Sequence, residues 1–234
     1  LEQFVRDGGL LIAVQSSAAL PIAAGMTQMV TVANPPGMNA PGSVLLSTID
    51  DSKSPITYGY SDKLYIYFHD GPVFNVGMPQ PNAEGATRAS GRGSPTDPDV
   101  IQARAYQEPE KPTKRSPHDQ ELYIPEETRQ FAALLLPSPA EMPRVVLRFA
   151  PEKDLVLSGM LVGARDVAEK PAVIDVPHGK GHVVLFSNNP MWRDETMGSF
   201  FLVFNAIFNY DHLDAGRTLP SESAKGQVKT GAEE

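Results

Sequence analysis

The chain has 234 residues, 41% of them hydrophobic and 21% charged, which suits one soluble globular domain with a sizeable core. Twenty scattered basic residues stand against 28 acidic ones, for a net charge of -8, and that argues against a nucleic-acid surface, which needs clustered Lys and Arg. Cysteine is absent, which removes disulfides and thiolate metal sites, and no run approaches the roughly 18–20 apolar residues of a membrane span.

Leu1, Phe4 and Val5 already show the spacing of a helix face. The sequence therefore reads as starting inside an element, a fragment whose N-terminal part is missing. Gly8 and Gly9 can end this helix, and Leu10–Val14 is an unbroken apolar run. Such a run directly after a helix predicts a buried strand of a parallel sheet. Residues 15–20 read as a turn into a short helix that Pro21 opens or interrupts. Residues 34–42 are a loop, followed by a strand over Ser43–Ile49, a half-buried strand over Leu64–Phe68, and another over Pro72–Val76 after the His69-Asp70-Gly71 turn.

From 78 to 118 the composition turns to Pro, Gly, Ser and charged residues, which predicts a long flexible insertion. A short helix over 126–136 and strands over Arg144–Phe149 and Asp154–Ser158 follow. Ala172–Val176 and His182–Phe186 flank a glycine-containing turn and predict an antiparallel hairpin. The clearest helix spans about 196–210, with Met197, Phe200, Phe201, Phe204, Ile207 and Phe208 at 3.6-residue periodicity. The domain is expected to close near residue 214, leaving 215–234 as a disordered tail.

Several residues invite a chemical reading. Ser16 and Ser17 sit where a nucleophile elbow would follow the first strand, but the glycines that relax such an elbow are missing, and a serine there more often caps the next helix. Asn188, Asn189, Trp192 and Arg193 lie between a strand and a helix, where the carboxyl edge of the sheet could form a polar cleft. The alternative is that Arg193 pairs locally and Trp192 is a packing anchor. His118 and Glu121 form a His-x-x-Glu pair inside the flexible region, with no buried strand to hold ligands rigid. His178 and His182 fall at the ends of a turn rather than on one helix face, so no metal site is expected. Gly179-Lys180-Gly181 precedes a strand and not a helix N-terminus, so it reads as a hairpin turn and not a phosphate loop.

Four motifs occur in order: Leu157-Ser-Gly-Met-Leu-Val-Gly163, the run Pro171–Phe186 containing Gly-Lys-Gly-His-Val-Val-Leu-Phe, Pro190-Met-Trp-Arg193, and Gly198–Phe208. With the opening Phe4-Val-Arg-Asp-Gly-Gly-Leu-Leu-Ile12, this series resembles the C-terminal domain of bacterial carboxypeptidase A-type zinc peptidase family proteins. There "SGW-x-x-G", "GKG-x-V-V-L-F", "P-x-F-R" and "G-T-x-x-L-x-x-N-A-L" follow one another. Met160 replaces the usual Trp, Trp192 replaces Phe, and the amidotransferase cysteine is missing.

The resemblance covers about half the chain. It implies a flavodoxin-like, class I glutamine amidotransferase-like α/β fold with a mostly parallel sheet flanked by helices. It also implies a non-catalytic accessory domain, with zinc and its ligands in an upstream peptidase domain and a secreted or periplasmic setting. Two alternatives stand beside it: a serine-dependent hydrolase or amidase using Ser16 or Ser17, and an oligomerisation domain like the amidotransferase-like module of some β-galactosidases.

Overall fold

The structure, a computed structural model, describes residues 1–33, 35–77 and 140–217. The insertion expected over 78–118, the helix over 126–136, His118, Glu121 and the chain beyond 217 lie outside the described residues.

Helix α1 (Glu2–Arg6) ends at Gly8, whose φ of +116° lets the backbone turn straight into β1 (Leu10–Val14). A 3-10 turn (Gln15–Ala18) and α2 (Ala19–Ala23) follow, with Pro21 near the start of α2 where the ring does least harm. Then come β2 (Val30–Ala33), β3 (Ser43–Ile49), β4 (Lys63–Phe68) and β5 (Val73–Val76). The later part carries β6 (Arg144–Phe149), α3 (Glu152–Leu155), β7 (Val156–Gly159), α4 (Ala164–Val167), β8 (Pro171–His178), β9 (Gly181–Phe186) and α5 (Phe200–Phe208).

The main sheet runs β1-β9-β8-β6-β3-β4, with β7 beside the first half of β3, and β2 and β5 form a separate ribbon. The fold is mixed α/β, but the expected mostly parallel sheet is not what forms. Among the described strands only β1 and β9 pair in parallel, and every other pairing is antiparallel. The reason lies in the connections. A parallel neighbour needs a crossover of a dozen residues or more, whereas β8 returns to β9 through Gly179-Lys180 alone. The hairpin expected there is present, and its strands reach further into the turn than the apolar runs suggested.

Two apolar layers sandwich the strands at the β1 side. Val5, Met26, Val30 and Phe74 pack on Ile174, Val176, Val183 and Leu185, while α5 supplies Leu202, Val203 and Ala206 to the opposite face with Val173, Val184 and Phe186. This explains the continuous apolar character of β1, whose residues serve both layers.

Helix α5 forms where expected, yet the aromatic face that announced it is not the face that packs. Leu202 and Ala206 are fully buried, whereas Phe201 is 62% and Phe208 78% exposed. The segment Asp154–Ser158, read as one strand, divides into the end of α3 and most of β7. Arg217, at the end of the described residues, lies almost buried against Asp175 and Met142.

Candidate functional site

Because β1 and β9 are adjacent and parallel, with Val14 beside Phe186, the loops leaving their carboxyl ends meet. The first carries Gln15, Ser16 and Ser17; the second carries Ser187, Asn188 and Asn189. The strained residue of the first turn is Gln15, at φ +52°, and its Nε2 donates to the carbonyl of His69 at 3.0 Å. Ser17 is fully engaged with the strand end. Its hydroxyl accepts from the Val14 amide at 2.8 Å and donates to the Val14 carbonyl at 2.7 Å, so its proton is directed at backbone. Ser16 is exposed on the same turn.

The His69-Asp70-Gly71 turn closes over this edge. A side chain at Gly71 would place its Cβ 1.9 Å from the Ser187 carbonyl oxygen, so only glycine fits there. Ser187 donates to the Pro72 carbonyl at 2.6 Å, and Asp70 accepts from the Ala40 amide at 2.6 Å. Non-glycine residues with positive φ gather here: Gln15, Asp70, Arg193, Asp194 and Thr196. Such backbone persists only where its surroundings over-determine it.

Trp192 stacks near-parallel on Tyr67 at 5.9 Å and on His69 at 6.1 Å, and the Arg193 guanidinium lies 5.0 Å from its ring centroid. The indole is thereby occupied by the protein's own groups, which is the packing-anchor role. Asn189 folds back to accept from the Met191 amide. Asn188 is fully buried and both of its amide atoms lack a partner, the one polar side chain of this edge whose hydrogen-bonding capacity is unused.

A second polar group lies on the α5 side of the sheet, and the sequence did not announce it. His182, expected at a surface turn, is buried. Its Nδ1 lies 2.7 Å from Asp175 Oδ1 and its Nε2 3.5 Å from Asp214 Oδ2, while Arg217 reaches Asp175 at 3.1 Å and Asp214 at 3.0 Å. Burial works against a charged imidazole, but the hydrogen bond and charge of Asp175, helped by Asp214 and opposed by Arg217, raise the His182 pKa above its usual value. Protonated, the four groups sum to zero charge. Nearby, Arg144 holds the Leu213 and Ala215 carbonyls and meets Asp51 at 2.7 Å. Burial pushes Asp51 upward, and the Arg144 guanidinium with the Lys53 amide outweighs it, leaving Asp51 below the usual carboxylate range.

The third feature is apolar. Phe4, Gly8, Gly9, Leu10, Ile12, Ile207 and Tyr210 line a groove of about 610 Å³ between α1–β1 and α5, with Asp7 its only charged wall. Strand β1 is the edge of the sheet here. On the same helix as Ile207, the exposed rings of Phe201, Phe204 and Phe208 form a row, with centroids 6.3 and 6.4 Å apart.

Among the described residues no group of three His, Asp or Glu side chains is arranged to hold a metal ion. No helix among them is long and apolar enough to cross a membrane. No family model and no curated protein matches this chain. Among solved structures, it is similar to a ThuA-like protein of Bacteroides uniformis at 12% identity, with a TM-score of 0.39 and 88% of this chain covered. The match takes in 60% of that protein's length.

Proposed function

We propose that this chain is a non-catalytic accessory module that works through protein contact, appended to a zinc carboxypeptidase-like catalytic domain. The observation that carries the reading is the exposed aromatic row of α5 together with the apolar groove at the sheet edge. Monomeric soluble proteins seldom leave such a patch bare unless it meets a partner. The link to a peptidase rests on the resemblance of the motifs in residues 157–208 and of the opening segment. The flavodoxin-like, amidotransferase-like grouping rests on the same ground, supported by the parallel β1–β9 pair and the helix that covers it. Proteolysis, zinc and a secreted or periplasmic setting then belong to the whole protein and not to these residues.

A second reading has one observation in its favour. The positive φ at Gln15, directly between a strand and a helical turn, reproduces the sharp bend of a nucleophile elbow and leaves Ser16 exposed beside it. Ser17 is poorly suited, because its hydroxyl is tied to Val14.

One assay separates the two readings. The purified chain is incubated with peptide, amide and ester substrates, with and without added zinc, beside its Ser16→Ala variant. The accessory reading expects no turnover above background in any arm. Hydrolysis that disappears with Ser16→Ala overturns it in favour of the hydrolase, and zinc-dependent release of C-terminal residues overturns it in favour of a peptidase within this chain.

A further inference from the structure

The contact surface just described also says what kind of partner it fits, and this step rests on reading it as a contact surface. Met197, Phe201, Phe204 and Phe208 are spaced four, three and four residues apart, the spacing by which one helix seats its side chains against another. Ile207 and Tyr210 turn from this row toward the groove and form its wall opposite Phe4. A projecting ring, Phe208, and a vacant apolar groove thus lie side by side on one face.

A two-fold axis beside α5 would bring each knob to the other copy's groove, which is the self-complementarity an isologous pair requires. Charge points the same way. The chain carries a net charge of -8, so two copies repel over most of their surface, yet no charged residue occurs from Met197 to Tyr210. The size also suffices: taking ~200 Å² per aromatic side chain, the exposed parts of Phe4, Phe201, Phe204, Ile207, Phe208 and Tyr210 offer roughly 700 Å² of apolar surface, close to the ~800 Å² per partner of a standard interface.

The edge strand adds a third argument. Among the described residues nothing guards β1 against pairing: its own residues are Leu, Leu, Ile, Ala and Val, with no lysine, proline or bulge to block a neighbouring strand. A two-fold axis perpendicular to β1 would set the two β1 edges antiparallel, the direction in which two equivalent edge strands can share hydrogen bonds. We infer that the chain forms a two-fold symmetric dimer through α5 and the β1 edge, and that this assembly is what the module contributes to the protein that carries it.

The test is sedimentation equilibrium of the full chain over a wide concentration range, beside Phe208→Asp and Phe204→Asp, with circular dichroism to confirm folding and an environment-sensitive hydrophobic dye as a second readout. A wild-type mass of twice 25.3 kDa, with each aspartate variant folded and dissociating at least tenfold more readily, is the expected result. A dimer indifferent to both substitutions overturns the assignment. A wild-type monomer that binds the dye, and loses it in Phe208→Asp, overturns the dimer while leaving the face as a contact surface for a different protein. A wild-type monomer that does not bind the dye overturns both readings.

Discussion

Two regions of this molecule break the rule that apolar groups go inside and polar groups outside, and they break it in opposite directions. On the α5 side of the sheet, Asp175 and His182 are buried charges, and the chain compensates them from within: His182 between two carboxylates, Asp175 between His182 and Arg217, with Arg144 gripping the carbonyls of the same C-terminal segment. Along α5 and β1 it is large apolar groups that are exposed, and the described residues offer nothing to cover them. Buried polar groups and exposed apolar patches are the informative exceptions in a fold. The contrast teaches that a violation closed by the chain's own residues is a device of stability, whereas one left open points outward.

The comparison can be broken most forcefully at Asp175. Replacing it with Ala removes the shared partner of two buried cations and should cost about 3–5 kcal/mol of folding stability, read as a lower urea midpoint. If the loss stays below about 1 kcal/mol, the cluster is not the internally compensated feature described here.

Next in size is a pair of substitutions on the two sides of α5. Leu202→Ala, on the packed side, should cost about 2–4 kcal/mol by leaving a cavity. Phe201→Asp, on the exposed side of the same turn, should change stability by no more than about 0.5 kcal/mol under conditions where the chain is monomeric. Equal losses at both positions in thermal melts would mean that the aromatic row is packed after all.

The smallest expected effect is that of pH. The folded pKa of His182 lies above its ordinary value of 6.5, so its contribution is complete below that pH and is lost as pH rises through the raised value. The melting temperature should therefore fall from slightly acidic toward mildly alkaline pH, and His182→Gln should flatten that part of the profile. A slope that persists unchanged in the variant would assign the titration to another group.

Much of the element list was legible because its signals are local. Leu10–Val14, Ser43–Ile49 and Arg144–Phe149 are bounded apolar or alternating runs, and each forms a strand over those same residues. The parallel direction expected of β1 is the one it takes, but the antiparallel pairing of the strands outside the β8–β9 hairpin was not legible, because direction is decided by which distant segment lies alongside: β3 pairs with residues 147–149, a partner no window around residue 47 contains. In α5 the periodicity located the helix but not its packed side, since Leu202, Val203 and Ala206 are as apolar as the phenylalanines opposite them. Strand β2 was not anticipated, and its partner β5 lies at least 40 positions further on.

At the strand ends, the sequence placed Ser16 and Ser17 after one strand and residues 188–193 after another; that the two strands are neighbours was not legible. It missed Gln15 and His69, whose roles depend on a contact across 54 positions. The same distance problem hid the His182 cluster, whose members come from β8, β9 and the segment after α5. A buried imidazole inside an otherwise apolar strand was the available signal.

The parallel pairing of β1 also sets a timetable. Leu10 lies beside His182, so 172 positions separate β1 from the one strand that pairs with it among the described residues. At the roughly 5–20 residues per second of protein synthesis, β1 leaves the ribosome on the order of 10–30 s before β9 exists. Through that interval an unguarded run of five apolar residues has no native place to go. Strand β1 can thus complete its pairing with β9 only long after it has been made.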